Sequence, residues 1–76
     1  MKRSHKETMK SVLEVLSSNR EYSYGAIERR ANLNWRSVRD HVELLSLVEA
    51  VNVSKENRIK INDKGRILLR KLKNVA

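Results

Sequence analysis

The sequence predicts an α+β, mainly α fold: a three-helix core, a two-stranded hairpin and a C-terminal helix, in one domain over residues 1–76. Three observations predict it. Apolar residues recur at helical spacing in three separate stretches of the first two thirds of the chain. Two of those stretches meet at a short polar turn, Asn32-Leu33-Asn34. Beyond them, Val51 and Val53, then Ile59 and Ile61, alternate with polar residues on either side of the run Ser54-Lys55-Glu56-Asn57-Arg58, as the arms of a hairpin do.

The first helix is expected over residues 4–18. Ser4-His5-Lys6-Glu7 matches a capping box, Met9, Val12, Leu13 and Leu16 form an apolar stripe, and Ser17-Ser18-Asn19 is a polar break. A second helix is expected over 23–31, capped by Ser23, with Tyr22 stapled onto Ile27. Asn32 tolerates the left-handed conformation that ends a helix, and Asn34 caps the next one, over 34–47, with Leu33 and Val38 as its staple. The hairpin is placed at 50–62, with Asn57 able to take positive φ at its tip. Asn62 caps a last helix over 63–74, with Leu68 and Leu72 inward and Gly65 marking a close approach to a neighbouring element.

The third helix commits Val38, Val42 and Leu45 to the core and leaves Trp35, Arg36, Ser37, Arg39, Asp40 and Glu43 on the other side. Two helices joined by a tight turn, the second presenting a polar cationic face, suit insertion of a helix into the major groove of DNA. Arg36 and Arg39, near the helix start, can each make a bidentate contact to guanine, worth about 1–3 kcal/mol of discrimination. Asn34 and Ser37 reach a phosphate or a base edge, and Trp35 either packs on a sugar or thymine methyl or covers its own helix. Asp40 and Glu43 repel phosphate and accept from cytosine N4, which favours a sequence preference. On the hairpin, Lys55, Asn57 and Arg58 suit phosphate or minor-groove contact, which positions a protein without reading sequence.

These residues also resemble a known family. Ala31-Asn32-Leu33-Asn34 resembles the Ala-Gly-Leu-Ser turn of helix-turn-helix regulators, with Asn32 in place of the usual Gly. Val38-Arg39-Asp40-His41-Val42 followed by Leu45 is similar to the Val-x-x-His-Leu-x-x-Leu pattern of their recognition helices. Ile59-Lys60-Ile61-Asn62-Asp63-Lys64-Gly65, then Leu68-Leu69, resembles the Leu-Thr-x-x-Gly passage of small winged-helix proteins from archaea and their viruses and plasmids. The resemblance covers nearly the whole chain and implies a winged helix-turn-helix that binds double-stranded DNA. One departure stands out: the family's Gly at the end of the recognition helix is replaced near Glu49-Ala50.

Charge and composition point the same way. The formal net charge is +8, from 17 Lys and Arg against 9 Asp and Glu, and such an excess in a small domain suits a polyanionic partner. The cations gather at the start (Lys2, Arg3, Lys6, Lys10), in the paired helices (Arg29, Arg30, Arg36, Arg39) and in the last helix (Lys64, Arg66, Arg70, Lys71, Lys73). With no cysteine, disulfides and thiolate metal sites are excluded. No apolar run approaches the roughly 20 residues of a membrane span, and no signal peptide is visible, so a cytoplasmic, nucleoid-associated protein is expected. No nucleophile–base pair, phosphate loop or metal set is present, so no enzyme activity, cofactor or small-molecule effector is expected.

A core this small barely offsets an ordering cost of about 1.5 kcal/mol per residue, and a homodimer is expected to bury more surface. Ile67, Leu69 and Val75 are the candidate dimer residues, because they cannot all share the core side of Leu68 and Leu72. The leading function is a DNA-binding transcriptional regulator. A low-specificity architectural DNA-binding protein, a protein-interaction module and a basic helix lying on anionic membrane stay open as alternatives. His41 contacts phosphate or is simply half-buried, and Tyr24 belongs to the core.

Overall fold

Small capping side chains set where each helix begins in the computed structural model, which describes residues 4–74. Ser4 Oγ accepts the Glu7 N–H at 3.1 Å and opens α1, His5–Leu16. Ser23 Oγ accepts from Ala26 N–H at 3.2 Å and opens α2, Tyr24–Ala31. Asn34 Oδ1 accepts from Ser37 N–H at 2.8 Å and opens α3, Trp35–Leu47. Each bond satisfies a backbone donor that the first helical turn would otherwise leave without a partner.

Helix ends depend on left-handed residues. Asn19 (φ 65°) turns the chain after α1, and Asn32 (φ 55°, ψ 51°) ends α2. Both are asparagines, which accept this conformation more readily than most side chains. At the end of α3 the residue is Glu49, with φ 60°. Its N–H reaches Ser46 O at 3.0 Å, and Ala50 N–H reaches Leu45 O at 2.8 Å, the paired bonds of a Schellman motif. A glutamate thus holds the position at which the resemblance places glycine.

A three-stranded antiparallel sheet runs in the order β1-β3-β2, with β1 at Tyr22–Ser23, β2 at Val51–Val53 and β3 at Arg58–Ile61. Val51 stands opposite Ile61 and Val53 opposite Ile59. The third strand was not expected: β1 is two residues long, and Tyr22 and Ser23 stand opposite Ile59 and Arg58. It joins the start of α2 to the tip-side end of β3.

Val12, Leu13 and Leu16 of α1, Ile27 of α2, Val38, Val42 and Leu45 of α3, and Ile59 of β3 are essentially inaccessible and form the centre of the core. α1 packs against all three other helices. Its N-terminal end faces α3, where the His5 and His41 rings are 5.4 Å apart, and the chain just beyond its other end is tied to the closing helix by Arg66 Nη2, which donates to Asn19 Oδ1 at 2.8 Å. No helix among the described residues is long and apolar enough to cross a membrane.

The closing helix α4, Asp63–Asn74, corrects one expectation, the outward placing of Leu69. Leu69 is buried in the core, Leu68 and Leu72 are half-buried beside it, and Ile67 is exposed. Leu69 therefore does not stand on an outer face with Ile67, and Val75 lies outside the described residues. The reason is Gly65, one turn before Leu69. A Cβ at Gly65 would strike the Ala50 carbonyl oxygen and lie 2.7 Å from Ile61 Cγ1. The bare backbone lets α4 settle along the Gly65–Leu69 seam. Asn62 fixes the junction: its Oδ1 accepts Gly65 N–H at 2.9 Å, and its Nδ2 donates to Glu49 O at 2.6 Å.

Candidate nucleic-acid interface

The left-handed Asn32 and the cap at Asn34 leave one residue, Leu33, to bridge α2 and α3, and Leu33 is half-buried against the core. That short bridge fixes the angle at which α3 leaves the body. Val38, His41, Val42 and Leu45 anchor the inner side of α3. Trp35, Arg36, Arg39, Asp40 and Glu43 are exposed along the outer side, and Ser37 is half-buried at its edge.

Arg39 is the best-positioned of these side chains. Its guanidinium carbon lies 5.4 Å from the Tyr24 ring centroid and 5.9 Å from that of Trp35. Contacts of this kind contribute about 0.5–1 kcal/mol at exposed sites. That restrains the side chain without matching a bidentate guanine contact, so a base edge can displace the rings. Trp35 remains 59% exposed, so it neither covers its own helix fully nor joins the core. Tyr24 is half-buried against the core, as expected, and its ring also stands beside Arg39, a contact that the sequence does not signal.

Among the described residues neither arginine has a carboxylate within 4 Å. Among the described residues the ion pair within 4 Å joins Lys64 Nζ to Glu49 Oε2 at 3.0 Å, away from Arg36 and Arg39. Asp40 lies four residues after Arg36 yet does not close on it. His41 is buried, and its Nδ1 donates to Ser37 O at 2.8 Å, the carbonyl being able only to accept. Its other ring nitrogen is buried without a partner among the described residues. That placement removes His41 from phosphate contact and makes it an internal brace of α3.

The hairpin stands beside α3. Ser54 N–H donates to Arg58 O at 2.9 Å, Ser54 Oγ accepts from Arg58 N–H at 3.2 Å, and Asn57 (φ 60°) carries the reversal. Lys55, Asn57 and Arg58 are all exposed around this tip. β1 pairing sets Arg58 opposite Ser23, the cap of α2, so the wing is joined directly to the two-helix unit. A shallow cleft of about 290 Å³ lies between them, lined by Tyr24, Arg39, Glu43, Ser46, Leu47 and Val53 among others. Lys60 also points outward from β3, alternating with buried Ile59 and Ile61. The strand alternation could have singled it out.

The structure thus gathers Arg36, Arg39, Trp35 and the outer part of the wing around α3, with Tyr24 added, and leaves the α4 residues elsewhere. Over residues 2–76 the chain matches the model of a family described as winged helix-turn-helix. No curated protein matches it.

Proposed function

The chain belongs to the winged helix-turn-helix family, and from that premise we propose that it is a double-stranded DNA-binding transcriptional regulator. In this reading α3 enters the major groove, while Lys55, Asn57 and Arg58 of the wing meet the backbone or the minor groove. The observation that carries it is Arg39, exposed on α3, set beside the Tyr24 and Trp35 rings and, among the described residues, without a carboxylate within 4 Å. Arg36 and Arg39 read bases, Asn34 and Ser37 support at the helix start, Trp35 packs on sugar or methyl, and Asp40 disfavours indiscriminate grip. The protein is non-enzymatic and works in the cytoplasm on the nucleoid.

A homodimer is the form in which such a unit reads a two-fold site, with half-sites about 34 Å apart. Leu44, Leu47 and Val48, at successive helical spacing near the end of α3, are 46%, 74% and 60% exposed, and Ile67 of α4 is 51% exposed. These are the apolar side chains available for joining two copies; Leu69 is not.

A low-specificity architectural role is the second reading, favoured by the concentration of charge on α4. The discriminating experiment is fluorescence anisotropy with a randomised duplex pool at several salt concentrations, followed by sequencing of the bound fraction. An enriched, two-fold-symmetric site establishes the regulator. Tight binding without enrichment establishes the architectural protein, and no binding at low salt overturns both. The membrane alternative has lost its apolar face, because Leu68, Leu69 and Leu72 of α4 are turned to the core.

A further inference from the structure

The cations are distributed unevenly among the helices. α3 holds two arginines against Asp40 and Glu43, which balance. α4 holds five cations, Lys64, Arg66, Arg70, Lys71 and Lys73, against one acid, Asp63, which is half of the chain's +8. Most of the electrostatic attraction for a polyanion therefore lies outside the helix-turn-helix.

Three of the α4 cations form a row. Arg66, Arg70 and Lys73 follow at i, i+4 and i+7 on one side of the helix and span about 10 Å of its axis. With Leu69 as floor and Ser17 as the far wall, they line a cleft of about 330 Å³. Arg70 and Lys73 are exposed, and Arg66 is aimed by its bond to Asn19 Oδ1, a neutral acceptor that leaves its charge uncompensated. Among the described residues, none of the three lies within 4 Å of a carboxylate. The row sits near the end of α1 opposite to the one that meets α3.

We propose that Arg66, Arg70 and Lys73 form a second, sequence-independent binding surface for the phosphate backbone of DNA, separate from α3 and the wing. A row of unpaired cations at regular spacing complements a strand that carries one charge about every 3.4 Å of rise. The same charge opposes pairing of α4 with α4 of a second copy around Ile67. The identity of the polyanion rests on the DNA-binding reading above; the phosphates belong either to a continuation of the duplex held by α3 or to a second duplex.

The test compares wild type, R66Q/R70Q/K73Q, R70Q/K73Q (which keeps the Arg66–Asn19 bond) and R36Q/R39Q, each checked for an unchanged melting temperature. Binding to a random-sequence duplex is followed by anisotropy across salt concentrations. Capture of a second, labelled duplex by protein saturated on an immobilised first duplex is measured in parallel. If the phosphates lie on one duplex, the slope of log K against log salt falls by about 2.7 in the triple variant and about 1.8 in the double, at about 0.9 per phosphate. If they lie on a second duplex, the slope holds and capture is lost. Unchanged slope and unchanged capture overturn the proposal. So does wild-type preference for polyglutamate over duplex, abolished in R70Q/K73Q, which would assign the row to an acidic protein. Loss in R36Q/R39Q alone leaves the α3 reading standing and removes this one; loss in the α4 variants alone does the reverse.

Discussion

α3 and α4 are both exposed, cation-bearing helices of similar length, and they differ in how their charge is held. On α3 the charges cancel, and Arg39 is steadied by Tyr24 and Trp35. On α4 they accumulate, and among the described residues only Lys64 has a carboxylate within 4 Å, that of Glu49. Position suits discrimination, since a guanine contact depends on a side chain arriving in one geometry. Accumulation suits affinity, since counterion release depends on how many phosphates are neutralised. Under the proposed reading, the two helices separate discrimination from affinity.

The comparison can be broken most severely from beneath. Leu45 is fully buried under α3, and Leu45→Ala is expected to cost about 2–5 kcal/mol of stability. Denaturant unfolding measures it, and an unchanged midpoint would mean that α3 is not anchored as described. Next comes Gly65→Ala, which sets a methyl against the Ala50 carbonyl and Ile61 and should cost about 1–3 kcal/mol by overpacking. Because α4 is displaced before α3, duplex affinity at low salt should fall further than site preference.

Arg39→Ala sharpens the contrast on the other side. It should weaken binding to a preferred site by about 1–3 kcal/mol more than binding to random duplex, read from paired anisotropy titrations. Equal loss on both would reduce Arg39 to a phosphate contact. Tyr24→Leu keeps the half-buried bulk and removes the ring, so the same titration should show a smaller loss of preference, about 0.5–1 kcal/mol. The smallest effect expected is a gain. Glu49→Gly relieves a left-handed glutamate, a conformation that costs roughly 1–2 kcal/mol, and gives up an exposed pair worth roughly 0–1 kcal/mol. A modest rise in melting temperature is the expected outcome, and a fall would mean that the Lys64 contact outweighs the backbone strain.

What was legible in the sequence was local. Ser4, Ser23 and Asn34 announce helix starts because a cap is a bond to a residue three positions on. Asn32 and Asn57 announce reversals because the side chain itself tolerates positive φ. Val51, Val53, Ile59 and Ile61 reveal the wing through period-two alternation, and the winged-helix architecture follows from these pieces in order. Contacts between distant residues were not legible. β1 is two residues whose partners lie far along the chain, and nothing in Tyr22-Ser23 marks it. Glu49 carries no signal for a left-handed turn. Arg36 and Arg39 could be placed on the outer face by helical phase, but the Tyr24 ring beside Arg39 depends on how α2 packs on α3. For α4, Leu68 and Leu72 do pack against the core, but the burial of Leu69 depends on the close approach of Gly65 to Ala50 and Ile61, which helical phase alone does not reveal.

The junction at Asn62 reaches beyond the residues it joins. Asn62 N–H donates to Ala50 O at 3.2 Å, while its side chain holds the Glu49 carbonyl and the first turn of α4. The hairpin is thus closed at its base, and both flanking helices are tied off there rather than through the tip. Residues 54–57 are all exposed, and their hydrogen bonds stay within the hairpin. The tip is therefore an exchangeable part: longer or differently charged loops can be grafted between Val53 and Arg58 at only a slowly growing closure cost. Under the proposed reading, a change of DNA grip through the wing requires no redesign of the body that carries it.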